Sequence, residues 1–181
     1  MQRRGFYQAC LFGAFTLFWS AIPLVLQQPP FSFGHLALSA FMLSGAAGTL
    51  VAPAAGWLAD RGYSRATTML ALVLAALGFA LAYAGQGRSI AWLVAAGVVL
   101  DAGVQANVVI GQRAIYTLAP KIRSRLNALY LALFFCGGAI GSALAGLSFA
   151  QGGLPLICGV GIAFPLLAAL VFATEFIPRR R

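Results

Sequence analysis

The chain alternates six long apolar segments with short junctions, and its positive charge follows that alternation. Arg3 and Arg4 precede the first segment, and Arg61 and Arg65 lie between the second and third. Arg113, Lys121, Arg123 and Arg125 lie between the fourth and fifth, and Arg179, Arg180 and Arg181 follow the sixth. These are eleven of the twelve basic residues; the junctions at 27–35, 85–89 and 151–155 carry only Arg88. Short loops rich in Lys and Arg stay on the cytoplasmic side. The pattern therefore predicts an all-α membrane protein with six transmembrane helices, over about 5–26, 35–58, 66–84, 90–112, 126–149 and 154–176, and with both termini inside. Each segment reaches the roughly 20 apolar residues that cross a bilayer.

Composition closes off other classes. Hydrophobic residues make up 61% of the chain and charged residues 8%, against about 45–50% and 25% in soluble domains. The net charge of +9 then belongs at an inner membrane surface, where basic residues meet anionic lipid. A nucleic-acid partner would need a basic face on a soluble domain, and the spans leave no room for one. Three acids and one histidine, none of them grouped, argue against an enzyme and predict no cofactor. Cys10, Cys136 and Cys158 are scattered through apolar segments and form neither a disulfide framework nor a metal spacing. The first segment outruns the roughly 7–15-residue apolar core of a signal peptide, so it reads as a true span.

Several positions inside the spans stand out. Gly45, Gly48, Pro53 and Gly56 suit the second span to close packing and a kink. Gly137, Gly138, Gly141, Ser142 and Gly146 place small residues four apart in the fifth, which lets backbones approach. Trp19 and Trp92 read as markers of the outer interface, and Trp57, Tyr63 and Tyr116 of the inner one. Asp101 sits near the centre of the fourth span, where a charge costs about 2.5–3.5 kcal/mol on insertion scales. At 100° per residue, Gly97, Asp101, Gln105 and Gln112 share one narrow stripe. That stripe is either part of a proton, cation or substrate path, or a structural patch hydrogen-bonded to a neighbouring helix. Asn107 lies off it and is expected to pack against another helix. Arg113 reads two ways: reaching lipid phosphate, or pairing with Asp60. His35 is expected at the outer interface. Glu175 is expected to make an ion pair with the nearby arginine cluster.

The junction Gly56-Trp57-Leu58-Ala59-Asp60-Arg61-Gly62-Tyr63-Ser64-Arg65 resembles the cytoplasmic Gly-x-Leu-x-Asp-Arg-x-Gly-Arg signature of the major facilitator superfamily. That signature lies between the second and third helix of each six-helix half. Gly56, Leu58, Asp60 and Arg61 match; Gly62 falls one residue early, and Arg65 stands near the trailing basic residues. The resemblance covers the whole chain but one half of the family's fold, a bundle whose two triplets of helices are compatible with a 3+3 inverted repeat. The fifth span lacks the proline of the Gly-Pro signature found in antiporter first halves, and no long central loop follows Pro178, so the C-terminal half is expected. The stretches 111–120 and 123–130 are similar to the link between the tenth and eleventh helices of drug- and sugar-efflux members.

The resemblance implies a secondary transporter that exports a small organic solute by alternating access, coupled to proton entry. It would sit in a plasma membrane, the inner membrane of a bacterium, among lipid. Asp60 and Arg61 would latch the inner side, Asp101, Gln105 and Gly97 would line the path, and Arg113, Arg123 and Arg125 would form the basic inner face. A second six-helix half must complete the site, from the same longer chain, a separate chain or a homodimer. The competing class is a six-span subunit with a structural or regulatory role and no transport of its own.

Overall fold

In hydrocarbon every backbone N–H and C=O must be satisfied within the protein, which a helix does along its own length. The computed structural model describes residues 2–85, 88–117 and 120–175, and every regular element among them is helical. Arg179, Arg180, Arg181 and the end of the expected sixth span lie outside the described residues, as do Leu118 and Ala119 of the link. The elements are α1 (Gln2–Leu26), α2 (His35–Ser44), a 3-10 segment (Gly45–Val51), α3 (Ala52–Asp60), α4 (Ser64–Gly85), α5 (Ile90–Tyr116) and α6 (Pro120–Ala173). By length and composition they form five stretches able to cross a membrane, with α2, the 3-10 segment and α3 joined as one.

The last stretch is two helices joined at a sharp bend. As one rod, its 54 residues would measure about 80 Å at 1.5 Å per residue. The break falls at Gly153, whose φ of 56° and ψ of −148° lie in a region nearly confined to glycine. Pro155 sits just beyond, in the first turn of the second arm, where proline is tolerated. The contact register gives the direction of each arm. In the first, Leu133 lies against Gly5, Gly137 against Ala9 and Gly141 against Gly13, so it runs parallel to α1. In the second, Phe164 lies against Gly13 and Phe172 against Tyr7, so it runs antiparallel. The chain therefore reverses at Gly153.

The second stretch shows what its glycines and proline do. Between Gly45 and Val51 the helix tightens to 3-10 geometry, and it resumes as α-helix with Pro53 in the first turn of α3. Leu36, Leu43, Leu50 and Trp57, seven apart along this stretch, are all exposed in the isolated chain. The core forms around α1, whose Tyr7, Leu11, Ala14, Phe18, Ala21 and Ile22 are fully buried. Thr16 Oγ1 donates to the Gly138 carbonyl at 2.8 Å, a bond between helices that their close approach permits. Cys10 and Cys158 are buried, whereas Cys136 is exposed.

Candidate transport site

Asp101 is 8% exposed and faces α1 and the 3-10 segment. Its Oδ1 accepts the Trp19 indole N–H at 2.8 Å. A side chain at Gly45 would stand 2.8 Å from Asp101 Oδ2, and one at Gly48 would run into Asp101 Cβ and the Ala102 amide. These two glycines thus make the room in which the carboxylate sits. Gly97 does the same for Trp19, whose ring passes 3.2 Å from where a Gly97 Cβ would stand. Trp19 also packs against Phe18 and Phe41, with ring centroids 5.3 and 5.4 Å away. Beside the carboxylate opens a cleft of about 460 Å3, lined by Phe15, Trp19, Met42, Ala46, Thr49, Val104 and Gln105 among others.

Of the expected stripe, Gly97, Asp101 and Gln105 converge here, while Gln112 is exposed further along α5. Trp19 corrects the expectation that it marks the outer interface: the acceptor it finds is Asp101, inside the bundle. A buried indole N–H usually finds a partner, and that need was the one signal in the sequence pointing from Trp19 to an internal acceptor.

A second arrangement occupies the basic end of the bundle. Arg113, in the last turn of α5, donates to the Gly56 carbonyl and forms an ion pair with Asp60. That decides between the two expectations for Arg113. Gly62 takes φ +84°; its N–H reaches the Ala59 carbonyl and that of Tyr63 reaches the Leu58 carbonyl, at 3.1 and 3.0 Å. This pair of bonds is a Schellman cap, which requires a left-handed residue after the helix. Gly62 therefore ends α3 and holds Asp60 at its last turn. Arg61 lies over the Trp57 ring at 3.6 Å, and Leu58 is half-buried. Arg65 is drawn away from this group: its Nε lies 4.0 Å from Glu175, which also accepts the Tyr7 hydroxyl at 2.8 Å. Glu175 thus reaches the start of α4 and α1. Arg123 lies 5.8 Å from the Tyr116 ring centre, and Arg125 is exposed.

One buried pair was not foreseen. Asn107, expected to pack on another helix, donates its amide to Gln8 Oε1 at 2.7 Å, and both side chains are essentially inaccessible. Gln8 is the one amide side chain in the first span, which is its only signal.

The chain is thus a bundle of apolar, membrane-spanning helices with a buried carboxylate at an open cleft and a charged tie at one end. A family model described as Major Facilitator Superfamily matches residues 5–181, and the chain belongs to that superfamily. It is 33% identical over 168 residues to the uncharacterized transporter YgaY of Escherichia coli O157:H7, covering 92% of this chain and 42% of that protein. It is 34% identical over 161 residues to the Streptomyces coelicolor protein named probable transporter SCO4007, covering 88% and 37%. The chain spans less than half the length of these relatives.

Proposed function

We propose that this chain is the C-terminal, six-span half of a secondary transporter, with both ends on the cytoplasmic side of a bacterial inner membrane. It exports a small organic solute by alternating access, coupled to proton entry. A second six-helix half faces the cleft and completes the site. The observation that carries the reading is Asp101, a carboxylate buried at mid-helix against Trp19 and opening onto a cleft in its own half. Ionisable groups at such depth commonly mark a transport path. Asp101, Gln105 and Gly97 belong to that path. Asp60, with Arg113, holds the second span to α5 at the inner side, and Gly56, Leu58, Arg61, Gly62 and Arg65 shape the turn that presents it; Arg123 and Arg125 continue the basic face. The drug- and sugar-efflux resemblance supports export, and the reversal at Gly153 supports six crossings.

The test is solute flux and accompanying proton flux in vesicles holding the complete transporter. Asp101→Asn is expected to abolish coupled flux while leaving the amount of protein in the membrane unchanged. Coupled flux at the wild-type rate would refute the role given to Asp101.

A further inference from the structure

The half bundle holds a further set of polar atoms, apart from the cleft and from the Asp60–Arg113 pair. Gln8 on α1, Asn107 on α5 and Tyr130 on the first arm of α6 are 0%, 1% and 5% exposed in this half alone. Their wall is therefore complete without the second half. Asn107 and Gln8 share one hydrogen bond, but Gln8 Nε2, Asn107 Oδ1 and the Tyr130 hydroxyl are sealed and have no partner among the described residues. Buried polar atoms are nearly always bonded, to protein or to ordered water. Three exceptions on three mutually packed helices call for one shared explanation.

The register brings the three atoms to one place. A side chain at Gly111 would run into the Tyr130 hydroxyl, so the phenol head rests on the bare backbone of α5. Gly111 lies one turn beyond Asn107, and Cβ positions a turn apart are about 5–6 Å from each other. Arg4, one turn before Gln8 on α1, donates to Thr68 Oγ1 at 2.6 Å, and its charge reaches the Tyr130 hydroxyl. That hydroxyl therefore lies about one turn from the amide pair, toward the basic end. A water with bonds of about 2.8 Å spans partners up to about 5.6 Å apart.

The bonding capacity left over identifies the partner. The amides leave one donor nitrogen and one acceptor oxygen. Turning both amides over exchanges their roles and still leaves one of each. The Tyr130 hydroxyl can give or take. A cation would meet the amide N–H and the nearby Arg4 charge, and an anion would meet the amide oxygen. Water both gives and takes, and a buried water commonly makes about three hydrogen bonds.

We propose that α1, α5 and the first arm of α6 enclose an ordered water that accepts from Gln8 Nε2, donates to Asn107 Oδ1 and bonds the Tyr130 hydroxyl. It belongs to the fold of this half rather than to the solute path, and it ties three helices together at one point.

The experiment is hydroxyl-radical footprinting with X-ray pulses on the complete transporter in nanodiscs, read by mass spectrometry. Radiolysis of a bound water makes the radical in place, so a buried residue beside it is oxidised while a dry one is spared. Each rate is referred to that of the same residue in the unfolded chain. Tyr130 is expected to react several-fold faster than Phe79, which is also buried but packs on Phe18 and Gly161. Gln8→Met combined with Asn107→Leu removes two of the three partners and brings Tyr130 down to the Phe79 level. Tyr130 as slow as Phe79 in the wild type overturns the proposal, and this comparison stands even where the double variant does not fold. Fast oxidation of Tyr130 that persists in the double variant overturns it too, because the water is then not held by the amides. So does a Tyr130 rate that rises when gluconate replaces chloride, which marks an anion beside Arg4 in the water's place. None of these readouts depends on solute flux, so this inference and the transport reading fail separately.

Discussion

The Gln8–Asn107 pair is the sharpest energetic test of how this bundle is held together. The two side chains are 0% and 1% exposed, and a single 2.7 Å hydrogen bond links them. Gln8 Nε2 and Asn107 Oδ1, the other ends of the two amides, have no partner among the described residues. Replacing Asn107 with Leu strands the Gln8 carbonyl as well. An unsatisfied buried group costs about 1–3 kcal/mol in proteins generally, while interhelical bonds in membranes average about 0.6 kcal/mol and reach about 1.7. Each single replacement, Asn107→Leu or Gln8→Met, should therefore destabilise by about 1–2 kcal/mol. The double replacement removes every stranded group and places apolar chains where amides were, so its stability should return to within about 0.5 kcal/mol of wild type or exceed it. The assay is unfolding in mixed micelles with rising SDS, followed by far-UV circular dichroism, for all four variants. The expected coupling is at least about 1 kcal/mol. Effects that add within about 0.3–0.5 kcal/mol, as independent sites do, would refute the contact and the register of α1 on α5.

Two further perturbations separate packing from latching. Gly48→Ala drives a methyl into Asp101 Cβ and the Ala102 backbone, whereas Gly146→Ala meets nothing within 4 Å. The first should destabilise by about 1–3 kcal/mol, as overpacking does, and the second should be neutral or stabilise by up to about 1 kcal/mol through helix propensity; thermal melting in detergent compares them directly. At the basic end, Asp60 and Arg113 are partly exposed, so Asp60→Asn should change stability by less than about 1 kcal/mol while slowing flux severalfold. The swap Asp60→Arg with Arg113→Asp should restore flux only in part, because Asp at the C-terminal turn of α5 opposes the helix dipole; full recovery would show that charge pairing alone is needed there.

The sequence reveals the parts of this molecule that follow from one-dimensional rules. Apolar length and the positions of Lys and Arg place the helices and their junctions, because burial in lipid and insertion charge act on each segment separately. Asp101 is conspicuous for the same reason: an acid in an apolar run needs an explanation wherever it lies. Gly62 is legible as a turn, and the Schellman bonds show why it is needed. What stays hidden is which helical faces meet. Trp19 sits 82 positions from Asp101, and Gln8 sits 99 from Asn107; nothing local to either residue names its partner. Glu175 illustrates the converse. Proximity in sequence suggests the arginines that follow it, which lie outside the described residues; among the described residues the fold brings Arg65 and Tyr7 to it, from positions far away in the chain.

The two arrangements on α5 share more than a helix. Asp101 and Arg113 are twelve residues apart, about 18 Å along the axis at 1.5 Å per residue, and each contacts the same second stretch. Asp101 lies against Gly45 and Gly48 at mid-depth, while Arg113 holds Gly56 and Asp60 at the basic end. Between these two joints runs the end of the 3-10 segment and the start of α3, where the helix changes pitch at Pro53. A rigid α-helix there would carry any shift at one joint straight to the other. A change of helix type gives the stretch a place to absorb or pass on such a shift, since 3-10 hydrogen bonds are weaker and such runs often mark hinges. Gly45 and Gly48 thus stand in two places at once: they open space for the carboxylate, and they lie in the 3-10 segment that connects it to the Asp60–Arg113 pair. That the two sites lie on one helix pair is what makes a linked motion physically available to this half of the transporter.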